Sequence, residues 1–236
     1  MNKNLKETII LIGGSGRLGS KLISQLGKKY NYLIIDKVQN KNNFKNIFFN
    51  KIDFENDDLD FSNLKLKIKK ISAIINLVRP SKQKKKSFDS SASQLIQNLY
   101  FLIEKILKLN KFNKINFLNI SSTNVKMISQ QNFEYHFFKL GTELMTNYFS
   151  VKYIKKNMYF NNLRVGLIKT KNLPKIFKKK KNNFLMSNNK IADYLKISKT
   201  IEKIFLKNDI LNGVTIDLDS SISKIDQIYF SNLIEK

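Results

Sequence analysis

The chain has 236 residues, 42% of them hydrophobic, and a formal net charge of +25. It has no Cys and a single His, His136, which excludes a disulfide framework and makes no case for a Cys- or His-built metal site. No apolar run approaches the roughly 20 residues of a membrane span, and the N-terminus carries no signal-peptide core. A cytoplasmic protein folded as one α/β domain over 1–236 is expected.

A charge this large ordinarily raises nucleic acid or an anionic membrane as partner. Here Lys and Asn are spread through the whole chain. Ala occurs only at Ala73, Ala92 and Ala192, and Arg only at Arg17, Arg79 and Arg164. AT-rich codon usage produces that bias, and the basic residues form no single stripe. No specific nucleic-acid partner and no membrane partner is expected.

In chain order, Thr8 to Ile12 reads as a short buried strand. It runs into Gly13-Gly14-Ser15-Gly16-Arg17-Leu18-Gly19 and then a helix through Leu22, Ile23 and Leu26. Strand, glycine turn and helix form the context of a dinucleotide fingerprint. Gly13 allows the tight turn, Gly16 lets the backbone approach a pyrophosphate, and Gly19 lets helix and strand pack closely. With Ser15, Arg17 and Leu18 between them, they form a cofactor-binding turn at a helix N-terminus.

The next strand, Tyr32 to Ile35, ends at Asp36, where an acidic side chain binds ribose hydroxyls and repels a 2′-phosphate. NAD(H) is therefore favoured, with NADP(H) still possible because Lys37 and Arg17 are near. The alternative for Asp36 is a solvated strand end. Asn46 to Ile52 reads as a third strand ending at Asp53, which is placed to meet an adenine amino group. Asp57 to Lys70 reads as a polar helix. Ile71 to Val78 reads as a fourth strand, apolar enough to be buried on both faces. Asn76 lies near its end. The basic loop Lys82 to Lys86 follows.

Ser87 to Leu109 is predicted as a long amphipathic helix with Leu95, Leu99, Leu102, Ile106 and Leu109 on its apolar stripe. Asn98 sits among those apolar neighbours, where an amide needs a partner. The apolar run Ile115 to Ile120 reads as a fifth strand and leads to Ser121-Ser122-Thr123. A helix from Tyr135 to about Asn157 follows. Tyr159 to Leu167 is predicted as a sixth strand, and 171–190 as an irregular, basic, mobile loop over a ligand. Asp193 to Lys207 is predicted helical and Val214 to Leu218 is a last strand. Strands alternating with helices argue a doubly wound parallel sheet of about seven strands.

Tyr135 and Lys139 lie four apart on one helix face. A positive charge near a phenol favours the phenolate and lowers its pKa from about 10. Such a Tyr can give or take a proton near neutral pH, and the Ser122 hydroxyl could bond the same substrate oxygen. The bland alternative is an ordinary exposed helix pair.

This order of motifs resembles the short-chain dehydrogenase/reductase family across nearly the whole chain. The family pattern is a glycine turn after the first strand, an Asn in the fourth helix, a Ser ending the fifth strand, and YxxxK opening the next helix. Those positions fall on Gly13/Gly16/Gly19, Asn98, Ser122, Tyr135 and Lys139, with the family's usual spacing. The family's Pro-Gly-x-x-x-Thr segment corresponds to Val165-Gly166-Leu167-Ile168-Lys169-Thr170, which keeps Gly and Thr and lacks Pro. Its Asn-Asn-Ala-Gly segment appears as Asn76-Leu77-Val78-Arg79-Pro80. One Asn survives and the small residues are gone, a version similar to some reductases of surface-sugar biosynthesis.

The resemblance implies a Rossmann-type fold and reversible hydride transfer between a nicotinamide and a carbonyl or alcohol carbon. It implies Tyr135 as general acid/base and Ser122 holding the carbonyl oxygen. Lys139 would tune the phenol and bind the nicotinamide ribose. Asn98 either extends a proton path from Lys139 or is a structural amide. Asn76, Gly166, Ile168 and Thr170 join the cofactor-binding set. It also implies a homodimer or homotetramer through the two long helices, with Phe149 and Tyr153 either at that contact or in the core. Two further readings stay open: a nucleotide-sugar epimerase or dehydratase of the extended branch, and a non-catalytic cofactor-binding member. The basic segments Lys82–Lys86 and Lys178–Lys181 would favour an anionic small-molecule substrate.

Overall fold

A computed structural model describes residues 6–39, 45–55, 59, 61, 70–80, 88–109, 114–126, 133–169 and 192–219. The first strand, β1, spans Thr8–Ile12 and is buried throughout. Helix α1 (Arg17–Leu26) follows the glycine turn, and β2 spans Asn31–Asp36. Strands β3 (Ile47–Lys51) and β4 (Ile71–Asn76) precede the long helix α2 (Phe88–Leu109). Strand β5 (Ile115–Ser122), helix α3 (Phe133–Lys152) and strand β6 (Met158–Val165) come next. Helix α4 (Tyr194–Thr200) and strand β7 (Thr215–Leu218) complete the described elements.

The seven strands form one sheet in the order β3-β2-β1-β4-β5-β6-β7, with all neighbours parallel. The doubly wound parallel sheet expected from the alternation of elements is therefore present. Both faces are covered, and the strands show why. Ile10 and Ile12 of β1 enter one core with α2 and α3, while Ile9 and Leu11 enter the other with α1 and α4. Leu33/Ile35 and Tyr32/Ile34 of β2 divide in the same way. Successive side chains point to opposite faces, so a strand buried on both sides must be apolar at every position.

The strand order reverses direction between β1 and β4. The loops leaving the carboxyl ends of those two strands diverge there and open a crevice, the usual ligand position in open α/β sheets.

Several boundaries moved. α3 begins two residues before Tyr135 and ends at Lys152 rather than near Asn157. The segment expected as helix to Lys207 is α-helical only to Thr200. It continues as a π turn over Ile201–Phe205, in which the Leu206 amide donates to the Ile201 carbonyl at 3.2 Å. The wider turn buries both Ile201 and Phe205. On α2, Leu95, Leu99, Leu102 and Ile106 are buried as expected, but Leu109 at the helix end is exposed. The helix expected over Asp57–Lys70, apart from Leu59, Phe61 and Lys70, lies outside the described residues, as do Lys82–Lys86 and 171–190. Among the described residues no helix is long and apolar enough to cross a membrane.

Candidate active site

The glycine turn is built by backbone constraints. Gly13 has φ +73°, a conformation that costs other residues, and a Cβ there would lie 2.9 Å from the Val78 nitrogen. A Cβ on Gly19 would lie 2.1 Å from the Gly14 carbonyl oxygen, so only glycine lets α1 press onto the turn. At Gly16 the space is open, as close approach of a phosphate requires. Gly16 is also the N-cap of α1, and no side chain caps the helix there. The first amides of α1 are thereby left for an anion.

Asp36 is not the solvated strand end that was the alternative. Its carboxylate accepts from the Ser15 amide at 2.9 Å and from the Lys37 amide at 2.7 Å. It therefore braces the glycine turn from β2 while remaining on the wall of the crevice. Lys37 lines the same part of the crevice, paired with Glu55 at 3.1 Å. The crevice is a cavity of about 650 Å³. Gly13, Ser15, Gly16, Asp36 and Asp53 line one side and the Leu77–Pro80 segment the other. Asp53 also accepts from the Glu55 amide at 3.2 Å, holding the turn after β3. Arg17 and Leu18 open α1. Arg17 is exposed, and Leu18 packs partly against the α1-side core.

Ser122, Tyr135 and Lys139 stand beyond the Leu77–Pro80 wall of the crevice, joined to it where Lys139 meets the Val78 carbonyl. β5 delivers Ser122 at its last position, and the short 3-10 turn Thr123–Lys126 leads away from it. The Ser122 hydroxyl and the Tyr135 phenol are hydrogen-bonded, and the Ser122 oxygen accepts from the Asn124 amide at 3.2 Å. Lys139 is 5% exposed. Its Nζ donates to the Val78 carbonyl at 3.0 Å and to the Ile120 carbonyl at 2.7 Å, and lies 5.9 Å from the Tyr135 ring centre. The three side chains do come together.

Their electrostatics differ from the expectation that Lys139 lowers the phenol. Burial pushes the Tyr135 hydroxyl above its usual pKa; the Ser122 hydrogen bond and the charge of Arg79 pull it back. Lys139 is itself pushed down to about 7. Burial is the main cause, Arg79 repels its charge, and Glu143 supports it. Near neutral pH its charge is only partial, and Arg79 adds the smallest of the three influences on the phenol, after burial and the Ser122 hydrogen bond.

Other expected site residues take different parts. Asn98 donates to the Phe54 carbonyl at 3.0 Å and accepts from Gln94 at 3.2 Å. That side chain holds the crevice wall after β3. Asn76 is fully buried: it accepts from the Val78 amide at 3.2 Å and donates to Asn119 at 2.9 Å. Its side-chain amide is tied into the sheet. Gly166 donates its amide to the Leu218 carbonyl at 3.1 Å, joining β6 to β7, and Ile168 forms a bridge with Ala192. Thr170 lies outside the described residues.

Three features went unread in the sequence. The first is a buried amide ladder. Asn76, Asn119 and Asn162 are register partners on β4, β5 and β6, Asn119 donates to Asn162 at 2.9 Å, and Asn162 donates to Asn147 and Thr215. An Asn inside a wholly apolar strand must find a partner, and that was the available signal. The second is Glu143, which receives Arg164 through two hydrogen bonds of 2.8 and 2.6 Å. It lies one turn after Lys139, so helical spacing alone places it beside that lysine. The third is Arg79, which occupies a position where the family pattern has small residues.

A seven-stranded parallel sheet with a glycine-turn crevice at its reversal point, and a Ser/Tyr/Lys group beyond one wall, is a Rossmann-type doubly wound fold. No protein-family model and no curated protein matches the chain. Solved structures do. A short chain dehydrogenase from Bacillus anthracis superposes with TM-score 0.76 at 17% identity, over 94% of this chain and 98% of that one. FolM alternative dihydrofolate reductase 1 from Brucella canis, complexed with NADP, gives 0.72 at 15% identity over 94% and 96%. A 4-hydroxyisoleucine dehydrogenase complexed with NADH gives 0.71 at 20% identity over 91% and 97%. The chain has the fold of the short-chain dehydrogenases, the family its motifs resemble.

Proposed function

We propose that this chain is a nicotinamide-dependent oxidoreductase of the short-chain dehydrogenase/reductase type, acting on a carbonyl or alcohol carbon. The observation that carries this is the Ser122–Tyr135 hydrogen bond beside buried Lys139, next to a crevice walled by Gly13, Gly16 and Asp36. The structural neighbours bound to NADP and NADH support the cofactor class.

The residues of the turn fit a dinucleotide. Ser15, Gly16 and the first turn of α1 would hold its pyrophosphate, and Asp36 its adenosine ribose. The nicotinamide supplies or accepts the hydride when bound. Tyr135 gives or takes the proton at the substrate oxygen, and Ser122 fixes that oxygen beside the phenol. Lys139, anchored by two carbonyls, carries an exchangeable proton at Nζ next to the phenol and is the group for the nicotinamide ribose. Asp36 disfavours a 2′-phosphate by like charge, and Lys37 cannot offset this fully while paired with Glu55. NAD(H) is the preferred cofactor.

The second copy of a homodimer would cover the outer face of α3. Phe149 and Tyr153 do not serve that face. Both are core residues, Phe149 stacked on Tyr100 and Tyr153 on Phe160. Phe133, Phe137, Leu140, Leu144, Tyr148 and Val151 form the exposed stripe instead.

Calorimetric titration of NADH and NADPH tests the proposal. Micromolar NADH binding with weaker NADPH is expected. Failure to bind either cofactor would sink it.

A further inference from the structure

We infer that Arg79 recognises an oxyanion, a carboxylate or phosphate, carried by the substrate; this rests on the oxidoreductase reading above. Arg79 leaves the carboxyl end of β4 at the reversal point of the sheet and lines the crevice with Val78 and Pro80. Its backbone is held from both sides. The Val78 amide donates to Asn76 and the Val78 carbonyl accepts from Lys139, while Pro80 fixes the next φ. The root of the exposed Arg79 side chain is thereby fixed at the crevice wall.

The guanidinium is uncommitted. Among the described residues Arg79 makes no hydrogen bond or ion pair, whereas Arg164 is engaged by Glu143 and Asp217. The carbonyl of the adjacent Val78 accepts from Lys139 Nζ at 3.0 Å, so Arg79 leaves the crevice wall next to the Ser122/Tyr135/Lys139 group, and its charge acts on both Tyr135 and Lys139. The opposite end carries Asp36 and Asp53, with Glu55 neutralised by Lys37. The crevice is thus polar in the electrostatic sense, acidic where an adenosine would lie and basic where a substrate would. A positive charge beside buried Lys139 works against the lysine's own charge, and a bound anion would relieve that repulsion. A guanidinium offers two parallel N–H donors, the geometry that carboxylates and phosphates take up.

The same chemistry is present in the pyrophosphate of a dinucleotide. The substrate is favoured as source, because the uncapped amides of α1 would serve a pyrophosphate at the glycine turn. The experiment separates the two. Oxalate and inorganic phosphate, at constant ionic strength, are titrated into the NADH complex of the full chain and followed by NADH fluorescence. NADH affinity is measured alongside for the wild type, Arg79→Gln and Arg79→Lys, with thermal melting as the check of folding. The expected result is saturable anion binding that Arg79→Gln weakens about ten- to hundredfold. Arg79→Lys should recover part of it, and NADH affinity should stay within about twofold. If Arg79→Gln weakens NADH and spares the anions, Arg79 serves the cofactor and the inference is overturned. Equal anion binding by wild type and Arg79→Gln, or none by either, overturns it too. The anion titration is repeated without cofactor by tyrosine fluorescence, since the chain has nine Tyr and no Trp. Loss of NAD(P)H binding then counts against the oxidoreductase reading, and the Arg79→Gln comparison still decides the anion site.

Discussion

Lys139 donates to the Val78 carbonyl at 3.0 Å, which ties the helix carrying Tyr135 to the loop carrying Arg79. The lysine is buried, and its pKa is about 7 against 10.5 for a free side chain. Between those values the unfolded chain binds more protons than the folded one, so stability rises with pH from about 7 towards 10.5. Below about 7 the cost of the buried charge is felt in full. Lys139→Met removes the titration. Urea unfolding at pH 6.5 and 8.5 should show the wild type gaining about 1–2 kcal/mol more than the variant over that interval. Parallel pH profiles would mean that Lys139 does not titrate there.

Tyr135→Phe removes only the hydroxyl bonded by Ser122. Fold and NADH affinity should persist, while turnover of any substrate found by NADH consumption falls about 10²–10⁴-fold. Ser122→Ala should lower turnover less and also spare the cofactor. Full activity of Tyr135→Phe would remove the phenol from the chemistry.

Asp36 has two tasks, one for the turn and one for the cofactor. Asp36→Asn keeps an acceptor for the Ser15 amide but removes the charge. NADPH affinity should rise about tenfold relative to NADH by calorimetry, with little change in melting temperature. An unchanged ratio would show that discrimination lies elsewhere.

The amide ladder predicts a stability effect far from the crevice. Asn119→Leu strands the Nδ2 of Asn76 and the Oδ1 of Asn162 in a fully buried layer. Two unpartnered groups cost about 2–4 kcal/mol in chemical denaturation. A loss below about 1 kcal/mol would mean that the layer repairs itself.

The α3 stripe predicts assembly. Leu144 is 71% exposed, so Leu144→Glu should leave the fold intact. Sedimentation should show a dimer for the wild type and a monomer for the variant. A wild-type monomer at micromolar concentration would leave the stripe without this partner.

The sequence by itself determined the local and periodic features. β1 falls on Thr8–Ile12 as read, because a strand buried on both faces is an unbroken apolar run with turn glycines at its end. The glycine turn was legible from its strand and helix flanks, and the Tyr135–Lys139 pair from its helical spacing, while the place of Ser122 beside them was implied by the family resemblance. Tertiary structure alone decided what each polar group meets. Nothing in the spacing of Asn76, Asn119 and Asn162 shows that three strands stack them into register. Nor does the spacing around Asn98 show that its partner is the Phe54 carbonyl. The sense of the phenol's shift also depends on the fold, because burial acts through everything packed around a group. A lysine four residues away in sequence is half-discharged by that packing, while Arg79, distant in sequence, adds a smaller pull on the phenol.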